Sequence, residues 1–227
     1  MESKLKVLDH GYVDLIETWG SDERIVEAAR MSTNKGFKGW GEPGAPGDEK
    51  LLRYLWENKH ATPFEMAGAV FEVKAPIFVF REWHRHRTQS FNEMSGRYVA
   101  LPDENYVPSV ERLMTVGGKN KQAQSTGAVL SVGGAESFCT ALRLSYHSQQ
   151  MLYDNALTAG VPKELARICL PVARYSKMRA SANLRNWLGF LTLRAEPHAQ
   201  WEIQQYAYAI ADILREKFPR TLEIARP

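Results

Sequence analysis

The sequence predicts an α/β protein of the α+β kind: a central, mostly antiparallel twisted sheet flanked by helices, with long helices toward the C-terminal end. Three observations carry that expectation. Short strand-like segments open the chain in hairpin fashion around His10-Gly11. Amphipathic stretches of helical period follow, the longest of them in the second half. No internal repeat and no domain-separating linker interrupts the 227 residues, so 1–227 reads as one domain with a sizeable core.

Taken in order, residues 5–9 and 12–19 read as paired strands. Ser21 is placed to cap a helix over about 22–32, with Ile25, Val26 and Ala29 on one face. Residues 36–47 are rich in glycine and proline and read as a loop. Asp48 then caps a helix over about 49–59 that buries Leu51, Leu52, Leu55 and Trp56. The chain turns at His60-Ala61-Thr62-Pro63-Phe64-Glu65, and 67–75 alternates as a strand. Pro76, with its preset φ, opens a helix over about 76–86. Residues 115–134 are glycine-rich and predict an excursion. Helices follow over 135–159 and 162–169. The stretch 172–181 leans to a strand. Ser181 caps a helix to about 194 with Leu184, Trp187, Leu188 and Leu191 in one stripe, and Pro197 opens the last long helix.

Composition narrows the function classes. Hydrophobic residues make up 44% and charged residues 24%, the balance of a soluble globular chain. The net charge of +3 is too small for a protein that binds a nucleic-acid backbone by bulk electrostatics, so no nucleic-acid partner is expected. Cys139 and Cys169 fit no disulfide framework and read as core, which points to a reducing cytoplasm. The N-terminus lacks a signal-peptide core, and no apolar run approaches the ~18 residues of a membrane span.

The positive charge is local instead. Arg81, Arg85, Arg87 and Arg97 fall in one short stretch, with Asn92, Glu93 and Ser95 between them. Arginines at a helix C-terminus complement the dipole, which alone accounts for Arg85 and Arg87. It does not account for the polar residues that follow in an irregular segment, where ligand sites usually sit. Converging planar guanidinium forks suit a phosphate, so a small anionic ligand is expected here. No metal is expected: His84 and His86 are two apart and diverge on a helix, and no HExxH or cysteine cluster accompanies them. Neither a GxGxxG nor a GxxxxGK[ST] loop is present. Asn183 and Arg194 lie three turns apart on one helix, ~16 Å along its axis. Either they flank an extended ligand, or they are residues suited to the two helix ends.

The run Arg85-His86-Arg87, seven residues, then Ser95 resembles the RHRx7S signature of flavin-dependent thymidylate synthases. The longer form RHRxxSxNExSxRY is matched at every fixed position from Arg85 to Tyr98. Further blocks keep the family's order: Glu27–Ser32, His60–Glu65, Ala166–Pro171 and Leu193–Glu202. The resemblance implies a homotetramer with active sites shared between subunits. It implies FAD as cofactor, with dUMP converted to dTMP at the expense of 5,10-methylenetetrahydrofolate and NADPH. By position, Glu82, Arg85, Glu93, Ser95, Gly96, Arg97 and Arg167 resemble the dUMP contacts, Arg167 being expected from a neighbouring subunit. Ser32, Thr62, Arg85, His86, Arg87, Thr88, Glu93, Asn183, Arg185 and His198 resemble the FAD contacts. Arg194 is similarly placed to reach the uracil ring, and His60 lies toward flavin and folate. Arg194, Ser95 and His60 are thus the residues expected at the reaction, with Ser95 binding and orienting, because no partner base is evident for it.

No thiol stands in the motif, so the uracil would be activated by polarisation rather than by a cysteine. Two positions depart from the family pattern: Glu82 replaces a glutamine, and Gly189 an asparagine or histidine that touches the flavin. Rival readings are the same chemistry on another uridine nucleotide such as UMP, or a non-enzymatic nucleotide- or RNA-binding module.

Overall fold

The computed structural model describes residues 4–42, 44–115 and 130–226. β1 (Lys4–Val7) and β2 (Gly11–Trp19) form the expected antiparallel hairpin, Lys4 opposite Asp14 and Val7 opposite Gly11. Gly11 is dictated by packing: a Cβ there would stand 2.1 Å from the Tyr206 hydroxyl and 2.6 Å from the Val7 carbonyl. α1 (Asp22–Arg30) is capped by Ser21, whose hydroxyl accepts from the Arg24 amide at 3.3 Å. It passes into a 3-10 turn at Met31–Thr33, closed by Asn34 in the left-handed region (φ 52°).

The glycine-rich loop contains two-residue strands β3 (Gly41–Glu42) and β4 (Ala45–Pro46). Asp48 does not cap the next helix; it is the first residue of α2 (Asp48–Glu57). Its carboxylate accepts from the Lys38 amide at 2.7 Å and from the Arg30 guanidinium, which ties this loop to α1. α3 (Thr62–Glu65) leads to β5 (Gly68–Pro76). Pro76 is both the last residue of that strand, opposite Tyr175, and the N-cap of the next helix, one position before its first residue. α4 (Ile77–Trp83) ends before the predicted 86, as the next amides close tighter turns: Arg85 on Glu82 at 3.2 Å and His86 on Trp83 at 3.0 Å.

The centre of the arginine motif is a strand and not a loop. β6 (Ser90–Glu93) pairs antiparallel with β7 (Tyr175–Asn183), Ser90 opposite Ser181 and Glu93 opposite Met178. β7's outer row of backbone groups requires partners, and these four residues supply them. α5 (Val110–Met114) was not anticipated. α6 (Val132–Thr158) begins earlier than residue 135 because the Ser131 hydroxyl accepts from the Gly134 amide at 3.1 Å. The rest of the excursion expected over 115–134 falls mainly outside the described residues. In place of one helix over 162–169 stand α7 (Lys163–Ala166) and a 3-10 turn at Arg167–Cys169. Cys169 therefore sits half-buried in a turn, while Cys139 is buried in α6.

Ser181 is paired in the sheet, so the cap of α8 (Leu184–Arg194) falls to Asn183, whose Oδ1 accepts from the Asn186 amide at 3.0 Å. Pro197 does not open the last long helix. Gln204 Nε2 donates to the carbonyls of Glu196 (3.0 Å) and Ala199 (2.7 Å), holding residues 196–200 as a turn before α9 (Trp201–Lys217). A short α10 (Pro219–Ala225) is fastened by Asp22, which accepts from the Arg220 and Thr221 amides and the Thr221 hydroxyl.

The main sheet has the order β1-β2-β5-β7-β6, antiparallel throughout. Alternate residues of β5 (Ala69, Phe71, Val73, Ala75) and β7 (Met178, Ala180, Ala182) are buried with Trp83 of α4, Trp187 and Phe190 of α8, and Tyr206 and Ile210 of α9. Burying such aromatic side chains stabilises by roughly 1.5–3 kcal/mol each. One consequence governs the site: β5 runs directly into α4 and β7 directly into α8, so sheet register sets where both helices end. Among the described residues no helix is long and apolar enough to cross a membrane.

Candidate active site

The C-terminal ends of α4 and α8 meet. Trp83 and Phe190 pack with their rings tilted by 32° and centroids 4.6 Å apart, and the Trp187 indole donates to the Ala69 carbonyl at 3.0 Å. Trp83's own indole donates to Gln89 Oε1 at 3.0 Å, which folds the motif back on the helix that leads into it. This packing brings Arg194 to Glu82 and His86. Arg194 Nη1 donates to the Glu82 carboxylate, Nη2 to the Glu82 carbonyl at 3.3 Å, and Nε to His86 Nε2 at 2.8 Å. His86 lies edge-on to Phe190 at 4.9 Å.

Because His86 Nε2 accepts, its proton resides on Nδ1, and Nδ1 is the nitrogen left to donate to a ligand. Burial first, and the Arg194 cation second, push the His86 pKa down from 6.5 to about 4. The folded protein thus binds fewer protons than the unfolded chain between about pH 4 and 6.5. Stability from this group is complete above pH 6.5 and is lost as pH falls through that window. A His86→Gln variant is expected to flatten the rise of melting temperature between pH 4 and 6.5; an unchanged slope would show that His86 is not the group responsible.

Other expected FAD-side residues gather along the same edge. Thr88's carbonyl accepts from Asn186 Nδ2 at 3.1 Å, joining the motif to α8. Asn183 spends its Oδ1 on the helix cap. Arg185 is exposed and pairs with Glu65 of α3 at 2.6 Å, close to Thr62, which begins that helix. Arg85 and Arg87 are exposed, with no ion-pair partner for either guanidinium among the described residues. Ser32 sits in the 3-10 turn with its hydroxyl donating to the Ala29 carbonyl at 3.0 Å. His60 is exposed and edge-on to Tyr54 at 5.7 Å, and His198 is exposed in the turn between α8 and α9.

A second group forms beyond β6. The Ser95 hydroxyl accepts from the Arg97 amide at 3.2 Å, while the Tyr98 and Val99 amides close on the Ser95 carbonyl. Among the described residues no general base contacts Ser95. Gly96 faces Arg167: a Cβ on Gly96 would stand 3.1 Å from Arg167 Cδ. Arg167 and Gly96 adjoin within one chain, because Leu101 and Arg174 fasten this loop against α6 and its neighbours. The Leu101 amide donates to the Tyr153 hydroxyl at 3.3 Å, and buried Arg174 donates to the Pro102 carbonyl (2.6 Å) and Gln150 (2.7 Å). Arg97 Nε donates to Glu164 at 3.1 Å, both side chains more than half exposed. Glu93 ends β6 between the two groups.

Sequence reasoning missed Gln89, Asn186, Phe190, Glu164 and Arg174. Only Asn186, three residues after a capping Asn183, left a local signal. The others act through contacts distant in sequence.

The arginines of the motif flank edge strand β6, and the Arg194 guanidinium is held where the ends of α4 and α8 meet. The chain matches the family described as thymidylate synthase complementing protein over residues 14–220. It belongs to the flavin-dependent thymidylate synthase family. It is 43% identical to the flavin-dependent thymidylate synthase of Thermosipho melanesiensis, covering 97% of this chain and 92% of that one. It is 44% identical to the Thermus thermophilus protein of the same name, covering 95% and 75%. Among solved structures, a UMP/dUMP methylase from Streptomyces cacaoi bound with 5-Br dUMP superposes with a TM-score of 0.84 at 31% identity, covering 97% of this chain and 96% of that one.

Proposed function

We propose that this chain is one domain, residues 1–227, that converts dUMP to dTMP, with 5,10-methylenetetrahydrofolate supplying the carbon and NADPH the electrons by way of FAD. The observation that carries the reading is Arg194, held by Glu82 and His86 beside the RHR motif. A fixed cation there stabilises negative charge developing on a uracil ring. Ser95, Gly96, Arg97 and Arg167 hold the nucleotide phosphate, with Arg85 and Glu93 completing its contacts. Two guanidiniums match a phosphate dianion.

The residues present fit FAD. Arg85 and Arg87 have no ion-pair partner among the described residues and suit a pyrophosphate. Gly189 leaves open space where a side chain would stand, one helical turn from Arg185. Ser32, Thr62, His86 through Nδ1, Thr88, Asn183, Arg185 and His198 complete the set, with His60 facing the folate side. Bound FAD supplies the two-electron reduction that takes the transferred carbon to a methyl group.

Two features support a homotetramer with shared sites. α6 buries only Ala135, Cys139 and Tyr153, leaving Leu144, Met151 and Leu152 exposed beside Ile168 and Val172. The candidate site also divides into two groups, as it would if copies completed one another. Light scattering of the purified protein tests this, and a monomer at micromolar concentration would overturn it.

A second reading, methylation of UMP, is favoured by the likeness to a UMP/dUMP methylase. Steady-state rates with dUMP and UMP side by side decide between them. The enzyme itself is tested by its visible spectrum: a yellow protein bleached by NADPH is expected, and a folded, colourless protein that takes up no FAD would exclude the reaction. Arg97→Ala is expected to weaken dUMP binding by roughly 1.5–3 kcal/mol, the range for a hydrogen bond to a charged group. Stability should hardly change, since the Arg97–Glu164 pair is an exposed one. Titration calorimetry with dUMP measures the loss; unchanged affinity would remove Arg97 from the phosphate site.

A further inference from the structure

We infer that Glu82 is a positioning residue that sets the orientation of Arg194, rather than a direct contact to the nucleotide; the inference rests on the proposed reaction of a uridine nucleotide. A guanidinium carries five N–H groups. Three of Arg194's are engaged within the chain: two by Glu82, through its carboxylate and its main-chain carbonyl, and one by His86 Nε2. One hydrogen on each terminal nitrogen is left for a ligand. The carboxylate, the carbonyl and the imidazole nitrogen are all acceptors, so the arrangement favours the charged guanidinium and restricts its rotation.

Backbone geometry adds to this. The Glu82 carbonyl belongs to the last turn of α4, where the helix end carries a partial negative charge that favours a cation. Both side chains are mostly shielded, Arg194 at 16% and Glu82 at 25% exposure, so solvent competes weakly for the pair. With its carboxylate turned to Arg194, Glu82 acts on the reaction through the orientation of that guanidinium. An amide at position 82 would keep one acceptor oxygen but lose the charge.

The test is a double-mutant cycle on the FAD-loaded enzyme, reading kcat and the KM for dUMP separately. Glu82→Ala is expected to lower kcat about tenfold or more with little change in KM, the consequence of a misplaced catalytic group. Glu82→Gln, which keeps the acceptor and the shape, should recover most of that loss. On an Arg194→Ala background, Glu82→Ala should have almost no further effect on kcat, because the two residues act as one unit. Losses that multiply in the double variant, or a Glu82→Ala effect confined to KM, would overturn the inference and make Glu82 a nucleotide contact. A fall in melting temperature with unchanged kcat would also overturn it, leaving a structural ion pair. Failure of the proposed reaction is a distinct result: the unsubstituted enzyme would then methylate neither dUMP nor UMP.

Discussion

Arg194→Ala is expected to lower kcat for dUMP methylation by about 10²–10³-fold, the usual effect of removing one preorganised donor from developing negative charge. The size follows from preorganisation. Arg194 is held by three acceptors before any ligand arrives, so no reorganisation is required when charge builds on the ring. Flavin binding should change much less, because Arg85, Arg87, Asn183 and Arg185 stand outside this clamp. Single-turnover reduction and product formation with the flavin spectrum recorded in parallel separate the two effects. A variant that loses its yellow colour, or one that keeps its rate, would contradict the assignment of Arg194 to the uracil.

The largest effect on stability is expected at Arg174. Its side chain is fully buried and donates to the Pro102 carbonyl, to Asp103 at 3.1 Å and to Gln150. These bonds join the loop after the nucleotide-side turn to α6. Arg174→Met preserves much of the volume but removes the donors that the Pro102 carbonyl, Asp103 and Gln150 share, at a cost of about 3 kcal/mol. For a chain of this length that corresponds to roughly 6–12 °C in melting temperature. Phosphate-side affinity should fall with it, since the turn at Ser95–Arg97 is anchored through the same loop. Thermal melts of the two proteins in the same oligomeric state test the first part. A shift below about 2 °C would mean that solvent reaches the freed carbonyl and amide and replaces the lost bonds.

Much of the fold was legible locally. Ser21 caps α1 because a hydroxyl before Asp22-Glu23 satisfies an orphan amide, and the β1–β2 hairpin follows from alternation around a tight turn. Failures share one cause. Ser181 looked like a cap and Ser90–Glu93 like a loop, yet both are strand residues, because pairing across the sheet outweighs local preference. Asp48 and Pro197 carried local signals for a helix start that contacts with Arg30 and Gln204 displaced.

By itself the sequence determined the chemistry's vocabulary: the RHR motif with its serine seven residues on, the family to which the chain belongs, and most helix and strand positions, all set by neighbours a few residues apart. Tertiary structure alone decided that Arg194 is clamped by Glu82 and His86, more than a hundred residues away, and that Arg167 adjoins Gly96 within one chain. Such meetings depend on the register of β5 against β7 and on the packing of Trp83 against Phe190. No local propensity encodes these, because their free energy comes from burying surfaces that are remote along the chain.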